Sequence, residues 1–238
     1  KDISQNLEIS LSKDGILEQY QGYFDLEELD WEYYGDKYEN IHRMDRILKA
    51  EGKSPDAYKV AKQADTLMAF YVLSEKQIER VLDNLGYDTP DDMLRRNFYY
   101  YLQRTSHGST LSRLVHAYLA YGIGDRELGW NFYFEALKSD FIDIQGGTTK
   151  EGIHAGVMAG TVLFALRAFA GLKWEGEVLA LKPNLPKNWR NIKFNLGFKG
   201  ARYYFDISTE SVKAKLVAKS AQSISVDQEQ IQIEPNTW

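Results

Sequence analysis

The sequence predicts a mainly α chain with a β domain at its C-terminal end. Three observations carry that expectation. Between Ala57 and Gly171 apolar residues recur at helical spacing, while from about residue 178 onward they alternate with polar ones, the period of half-buried strands. The helical part also alternates segments that are apolar on most sides (57–73, 109–121 and 151–171) with more amphipathic ones, as paired inner and outer helices would. Only about three such pairs fit into this length, so the pattern suits half a barrel of helical hairpins and not a closed ring of six.

Taken in order, residues 1–56 have weak periodicity. Leu7, Ile9 and Leu11 alternate like a short strand, Asp14-Gly15 reads as a turn, and the acidic-aromatic stretch Tyr20–Trp31 leads into a polar segment, 33–56, expected to be a long connection. Ala57, Val60, Ala61, Ala64, Leu67, Met68 and Tyr71 predict a helix over 57–73. Ser74 is placed to cap a short helix that Gly86 ends, and Thr89-Pro90-Asp91-Asp92 opens another that runs to about Arg104. Helices follow over 109–121, ended by Gly122 and Gly124, and over 126–140. The helix over 151–171 carries Gly156 and Gly160 four apart, which would admit a neighbouring backbone. Beyond it, Ile192–Phe198, Tyr203–Ile207, Val212–Leu216, Ile224–Val226 and Ile231–Ile233 alternate with period two and predict an antiparallel sheet of four to six strands. The expected domains are 1–175 and 176–238.

Composition narrows the function classes. The 238 residues are 44% hydrophobic and 26% charged with a net charge of −5, as in an ordinary soluble globular protein, and no basic run offers an electrostatic case for nucleic acid. The absence of cysteine excludes disulfides and thiolate metal sites, fits a reducing compartment, and supports a cytoplasmic location. The most apolar stretch, 160–172, is interrupted by Arg167 and falls short of the roughly 18 residues of a membrane span. The chain starts at Lys1, so it reads as a piece of something longer.

Two stretches concentrate chemistry. Gly146–Gly156 joins glycines, Thr148, Thr149, Glu151 and His154 ahead of an apolar helix, with Thr148 and Glu151 at the spacing of a capping box. Ser106-His107-Gly108-Ser109-Thr110-Leu111-Ser112 repeats the recipe. Each hydroxyl alone serves as a cap and each histidine as a buried core residue; two such helix starts together suggest an anion site between them, because a helix N-terminus presents unpaired N–H groups and a positive dipole end. Lys62-Gln63, a charged and an amide side chain inside an otherwise apolar helix, is the third candidate.

Four segments in this order resemble the glycoside phosphorylases related to maltose, trehalose and kojibiose phosphorylase (glycoside hydrolase family 65). They are Lys62-Gln63-Ala64-Asp65, His107–Ser112, Gly147–Gly156, and Leu185-Pro186 with Trp189, and the resemblance spans nearly all of residues 17–218. It implies the second half of an (α/α)6 barrel followed by a small antiparallel β-sheet or sandwich domain. It also implies an inverting phosphorolysis in which a glutamic acid protonates the glycosidic oxygen while phosphate attacks the anomeric carbon, giving β-glucose 1-phosphate and a released sugar. Phosphate then stands where an inverting hydrolase uses a base and water. By the same resemblance Lys62 and Gln63 bind the sugar, and Ser109, Thr110 and His154, with His107 close by, bind phosphate. The co-substrate is inorganic phosphate, with no metal or organic cofactor.

The chain departs from the family pattern at one point. The general acid of the family lies upstream of the region resembled, and no residue here matches it; Glu27, Glu28 and Glu32 correspond to another segment and are not assigned. This chain alone is therefore expected to be inactive, with the remaining half-barrel supplied by another segment or a partner chain to cover the apolar inner helices; a homodimer is a further arrangement the resemblance allows. Disaccharide and phosphate are the expected partners, with no membrane or nucleic acid. An inverting α-glucoside hydrolase is the first alternative, which Glu151 keeps open although 106–112 holds no Asp or Glu, and a non-catalytic sugar-binding or scaffold fragment the second.

Overall fold

A computed structural model describes residues 6–175 and 177–236. They fall into two compact units that divide between Thr161 and Val162. The expected boundary at 175/176 meets Gly176, which lies outside the described residues.

The first unit is helical. Its helices are α1 (Trp31–Lys37), α2 (Met44–Ala50), α3 (Asp65–Val72), α4 (Glu75–Asn84), α5 (Met93–Leu102), α6 (Thr110–Gly122), α7 (Arg126–Lys138) and the start of α8 (Ala155–Phe164). Helix α6 packs against α3, α5 and α7. Leu67 and Phe70 of α3, Phe98 and Tyr101 of α5, and Val115, Leu119 and Ala120 of α6 form the main core of this unit, with Tyr23 buried among them. Each such fully buried apolar side chain contributes about 1.5–3 kcal/mol.

Several expectations are corrected here. The polar stretch 33–56 is not a long connection: it holds most of α1 and all of α2. The Asp30 carboxylate caps α1 by accepting from the Tyr33 N–H at 2.9 Å, and Tyr34, Met44 and Leu48 bury one face of the pair against Leu29. The predicted helix 57–73 shrinks to α3, because the backbone of 59–61 pairs with other chain segments. Lys59 N–H donates to the Glu27 carbonyl, Ala61 N–H to the Arg104 carbonyl, and Ser106 N–H to the Ala61 carbonyl, which leaves no i→i−4 ladder for this stretch. Lys62 and Gln63 therefore sit in a bend ahead of the helix and not inside it.

The helix expected over 151–171 begins only at Ala155 and widens into a single π-type turn over Ala165–Phe169. Gly152, at φ 95°, turns the chain out of helical geometry, so Thr148 and Glu151 form no capping box and bracket a short 3-10 turn instead. Of the two glycines, Gly160 makes the close approach, and its neighbour is the Leu114 side chain, not a backbone; Gly156 meets nothing within 4 Å. Near the N-terminus, one antiparallel bridge between Leu11 and Leu17 replaces the expected strand. The capping box of α4 does form, with the Gln77 side chain accepting from the Ser74 N–H at 2.8 Å.

Among the described residues, the second unit has seven strands: β1 (Lys173–Glu175), β2 (Val178–Leu181), β3 (Asn191–Phe198), β4 (Ala201–Ser208), β5 (Val212–Val217), β6 (Gln222–Val226) and β7 (Glu229–Ile233). They form two sheets and not one: β1-β2-β6-β7 and the antiparallel meander β3-β4-β5. The pair β2–β6 is parallel, because the whole meander intervenes between them in sequence. The alternation predicted from the sequence sets which side chains are buried: Tyr203, Phe205 and Ile207 of β4 and Leu216 of β5 point into one core with Leu179, Leu181 and Ile224. Trp189 sits edge-on to Phe169 with ring centres 5.1 Å apart, beside the Asn184 N–H bond to the Phe169 carbonyl.

Candidate functional site

The site grows from the pairing of two non-helical segments. The Ala61–Thr105 bridge lays 59–62 alongside 104–106, which carries the chain past Lys62 and into Gly108. Gly108 is packed so closely that a Cβ there would lie 2.5 Å from the His42 carbonyl oxygen and 2.9 Å from Lys62 Cγ. This close approach is what the glycine provides, and it puts the stem of Lys62 against the start of α6.

Ser109 is the N-cap of α6, yet its side chain makes no capping bond, and Thr110, the first helical residue, is buried. The first N–H groups of a 13-residue helix therefore lack a side-chain cap, beside two hydroxyls.

A buried arginine anchors this turn. Arg113, 1% exposed, donates from Nη1 to the His107 carbonyl (3.0 Å), from Nη2 to His42 Nε2 (3.2 Å) and from Nε to Glu135 Oε2 (2.8 Å). Because arginine only donates, His42 Nε2 accepts, and its Nδ1–H donates to the Ser106 carbonyl at 2.8 Å. These bonds hold His107 at φ 53°, an uncommon backbone geometry for a residue with a side chain. Gln145 adds a second donor to the His107 carbonyl at 3.3 Å, while its own carbonyl accepts from Thr148 Oγ1 at 3.0 Å.

The His107 ring turns inward. Its Nδ1 meets Ser112 Oγ at 3.0 Å, and the ring packs against His116 and Phe132. Burial, reinforced by His116, Arg113 and His42, pushes its ionisation well below the usual histidine range, and burial likewise lowers His42 and takes His116 to about 4. All three rings are neutral at neutral pH.

The loop from α7 to α8 reaches this turn through Gln145. Asp143 accepts from the Gly147 and Thr148 N–H groups, which curls Gly146-Gly147 into a tight turn. Its carboxyl ionises below the usual range, chiefly because of the Gly147 N–H. Asn40 ties the loop to the rest of the unit through the Ile144 carbonyl at 3.0 Å. At its far end, His154 Nδ1 lies 2.7 Å from Asp140 Oδ1, the His154 N–H donates to Asp140 Oδ2 at 3.0 Å, and His154 Nε2 is 3.7 Å from Glu151 Oε2.

Of the residues singled out by sequence, Lys62, His107, Ser109 and Thr110 thus share one neighbourhood around Gly108. Gln63 is half-buried next to Lys62 in the bend. Among the described residues, the polar contacts of His154 run to Asp140 and Glu151 and none to 106–112. Glu28, set aside earlier, is held by Arg104 (2.9 Å) and Lys59 (3.2 Å); burial alone would raise its carboxyl, but these cations outweigh it and the net shift is downward, unsuited to a proton donor.

Sequence reasoning missed His42, Arg113, Asp140 and Gln145. Arg113 left a signal, a charge within the apolar run of α6; the others are remote in sequence and become neighbours only on folding. Among the described residues no group of three or more His, Asp or Glu is placed to hold a metal ion, and no helix is long and apolar enough to cross a membrane.

Comparison with known proteins matches the chain to a family. Residues 1–163 match the model described as "Glycosyl hydrolase family 65 central catalytic domain", and residues 172–233 match "Glycosyl hydrolase family 65, C-terminal domain". The chain is 41% identical over 97% of its length to a trehalose 6-phosphate phosphorylase of Lactococcus lactis, covering 30% of that protein. It is 37% identical over 95% of its length to an uncharacterized glycosyl hydrolase of Mycobacterium tuberculosis, covering 17% of it. A solved structure titled "Putative kojibiose phosphorylase from human microbiome" matches 99% of the chain with a TM-score of 0.74 at 26% identity, over 30% of its own length. The chain spans less than a third of each of these proteins. The two consecutive matches cover most of the chain, and it belongs to glycosyl hydrolase family 65.

Proposed function

We propose that this chain is part of an inverting glycoside phosphorylase, which cleaves an α-linked glucose disaccharide with inorganic phosphate to give β-glucose 1-phosphate and a free sugar. The observation that carries the reading is the start of α6: an N-cap Ser109 whose hydroxyl is not used for capping, next to Thr110 at the N-terminal end of the helix, with Lys62 packed alongside at Gly108. In this reading Ser109, Thr110 and His154 bind phosphate. His107 contributes through its backbone, since its ring is turned to Ser112. Lys62 and Gln63 hold the glucosyl unit. Hydroxyls, helix N–H groups and an imidazole can hold a dianion without blocking its attacking oxygen.

The helical unit is then the second half of an (α/α)6 barrel, and the general acid belongs to the part of the protein outside these residues. This chain alone is inactive in this reading. The relative from Lactococcus lactis acts, by its name, on trehalose 6-phosphate, so a 6-phosphorylated disaccharide joins trehalose, kojibiose, nigerose and maltose as a candidate substrate.

The test is a phosphorolysis screen of the full-length protein against these five sugars. Glucose 1-phosphate should form only when phosphate is supplied; equal turnover in phosphate-free buffer would sink the reading. Hydrolysis is the second reading, favoured by one contact: Glu151 is the carboxylate beside His154 Nε2, at 3.7 Å, where a base for water would stand. Under phosphorolysis Glu151→Gln retains phosphate-dependent turnover; under hydrolysis it abolishes turnover.

A further inference from the structure

The contact between Asp140 and His154 has no counterpart in the sequence pattern, since the two residues lie 14 positions apart on either side of a glycine-rich loop. Asp140 is only 7% exposed, and both of its oxygens are committed to the same partner residue. Oδ1 faces the ring nitrogen Nδ1 at 2.7 Å and Oδ2 accepts the backbone N–H of His154 at 3.0 Å. A carboxylate can only accept, so Nδ1 carries the proton. The tautomer and the ring plane are fixed together, and the other nitrogen, Nε2, is turned toward the exposed side chain of Glu151.

We propose that Asp140 is the positioning residue of the phosphate site, acting through His154. This rests on the assignment of His154 to phosphate made above. With Nδ1–H held by Asp140, Nε2 is the nitrogen that meets the anion. As an imidazolium it donates to a phosphate oxygen, and as a neutral ring it accepts the P–OH proton of the monoprotonated ion. In both cases a negative charge behind the ring strengthens the contact, the same division of labour by which a carboxylate orients a metal-bound histidine. The backbone bond through Oδ2 also sets where His154 stands ahead of Ala155, the first residue of α8.

The experiment uses full-length protein with trehalose, trehalose 6-phosphate or whichever disaccharide the screen identifies, and measures KM for inorganic phosphate and for the sugar separately. Asp140→Asn keeps the side-chain volume and removes the charge. Its KM for phosphate is expected to rise about 10–100-fold, the cost typical of losing such an orienting carboxylate, with a smaller fall in kcat and a sugar KM within about twofold. His154→Gln should also raise KM for phosphate, and the double variant should be no worse than His154→Gln, because a residue that acts only through His154 has nothing left to act on.

An unchanged phosphate KM in Asp140→Asn, or effects that multiply in the double variant, would overturn the proposal. If His154→Gln leaves KM for phosphate unchanged, the phosphate-site reading itself fails and takes the proposal with it. If His154→Gln raises KM and Asp140→Asn does not, only the role of Asp140 fails. Should Asp140→Asn not fold, Asp140→Glu carries the same comparison. It keeps the charge but displaces it by one methylene, so its phosphate KM should again rise, and an unchanged value would refute the positioning role.

Discussion

Replacing Gly108 by alanine tests how Lys62, Ser109 and Thr110, the residues proposed to bind sugar and phosphate, are held together. The added Cβ would lie 2.5 Å from the His42 carbonyl oxygen and 2.9 Å from Lys62 Cγ. A carbon normally stays at least about 3.5 Å from such neighbours, so the gap must open by close to 1 Å. Lys62 is a flexible side chain and can swing away. The His42 oxygen is backbone, and its ring is bonded to Ser106 and Arg113, so it moves only if the whole turn moves. Overpacking of this kind costs about 1–3 kcal/mol of stability. The larger effect falls on geometry, because Gly108 directly precedes Ser109 and Thr110. A displacement of about 1 Å in a positioning segment can lower rate by about 100-fold. The assay is kcat/KM for phosphorolysis by full-length Gly108→Ala protein, with separate KM values for phosphate and sugar; both should rise. Combining it with Lys62→Ala should not restore phosphate KM, since the backbone clash remains. Wild-type kinetics in Gly108→Ala, or rescue of phosphate binding by Lys62→Ala, would refute the reasoning.

Other perturbations have defined outcomes. Arg113→Met keeps much of the buried volume but strands His42 Nε2 and leaves the His107 carbonyl with only its 3.3 Å bond from Gln145; with an unsatisfied buried acceptor costing about 1–3 kcal/mol, a loss of that order is expected in urea unfolding. Glu135 is half exposed and rehydrates, so its charge adds little, and an unchanged midpoint would contradict the anchor role. Stability should also fall in mild acid. Burial depresses His42, His107 and His116 in the native state, the last to about 4, so below the ordinary value of 6.5 the unfolded chain binds more protons than the native one. The stability present above pH 6.5 is therefore lost as pH drops toward 4, by up to about 1.4 kcal/mol per pH unit per proton, and His116→Asn should flatten the curve measured by unfolding at stepped pH. In the second unit, Gly171→Ala forces a side chain onto φ +65° with its Cβ 1.9 Å from the Lys182 carbonyl oxygen. A clear drop in thermal unfolding temperature is expected, and an unaltered one would show that this turn can relax.

What the sequence determined by itself is the local grammar. The switch from helical to alternating period marked where helices give way to strands, since side-chain periodicity follows from backbone geometry alone. Gly86, Gly122 and Ser74 marked helix ends for the same local reason. The motif segments at 62–65, 107–112, 147–156 and 185–189 were enough to point to family 65. Tertiary structure decided the rest, because the deciding contacts are distant in sequence. Lys62 left its expected helix when Ala61 paired with the 104–106 backbone, and Thr148 left its expected capping role when Asp143 and Gln145 took its bonds. The parallel β2–β6 pairing depends on a crossover that no strand's own alternation encodes. The supports of the site, His42 and Arg113 behind His107 and Asp140 behind His154, are polar groups whose partners arrive only when the chain folds. Periodicity shows which face of an element is buried, but only the assembled fold brings a buried donor to its acceptor.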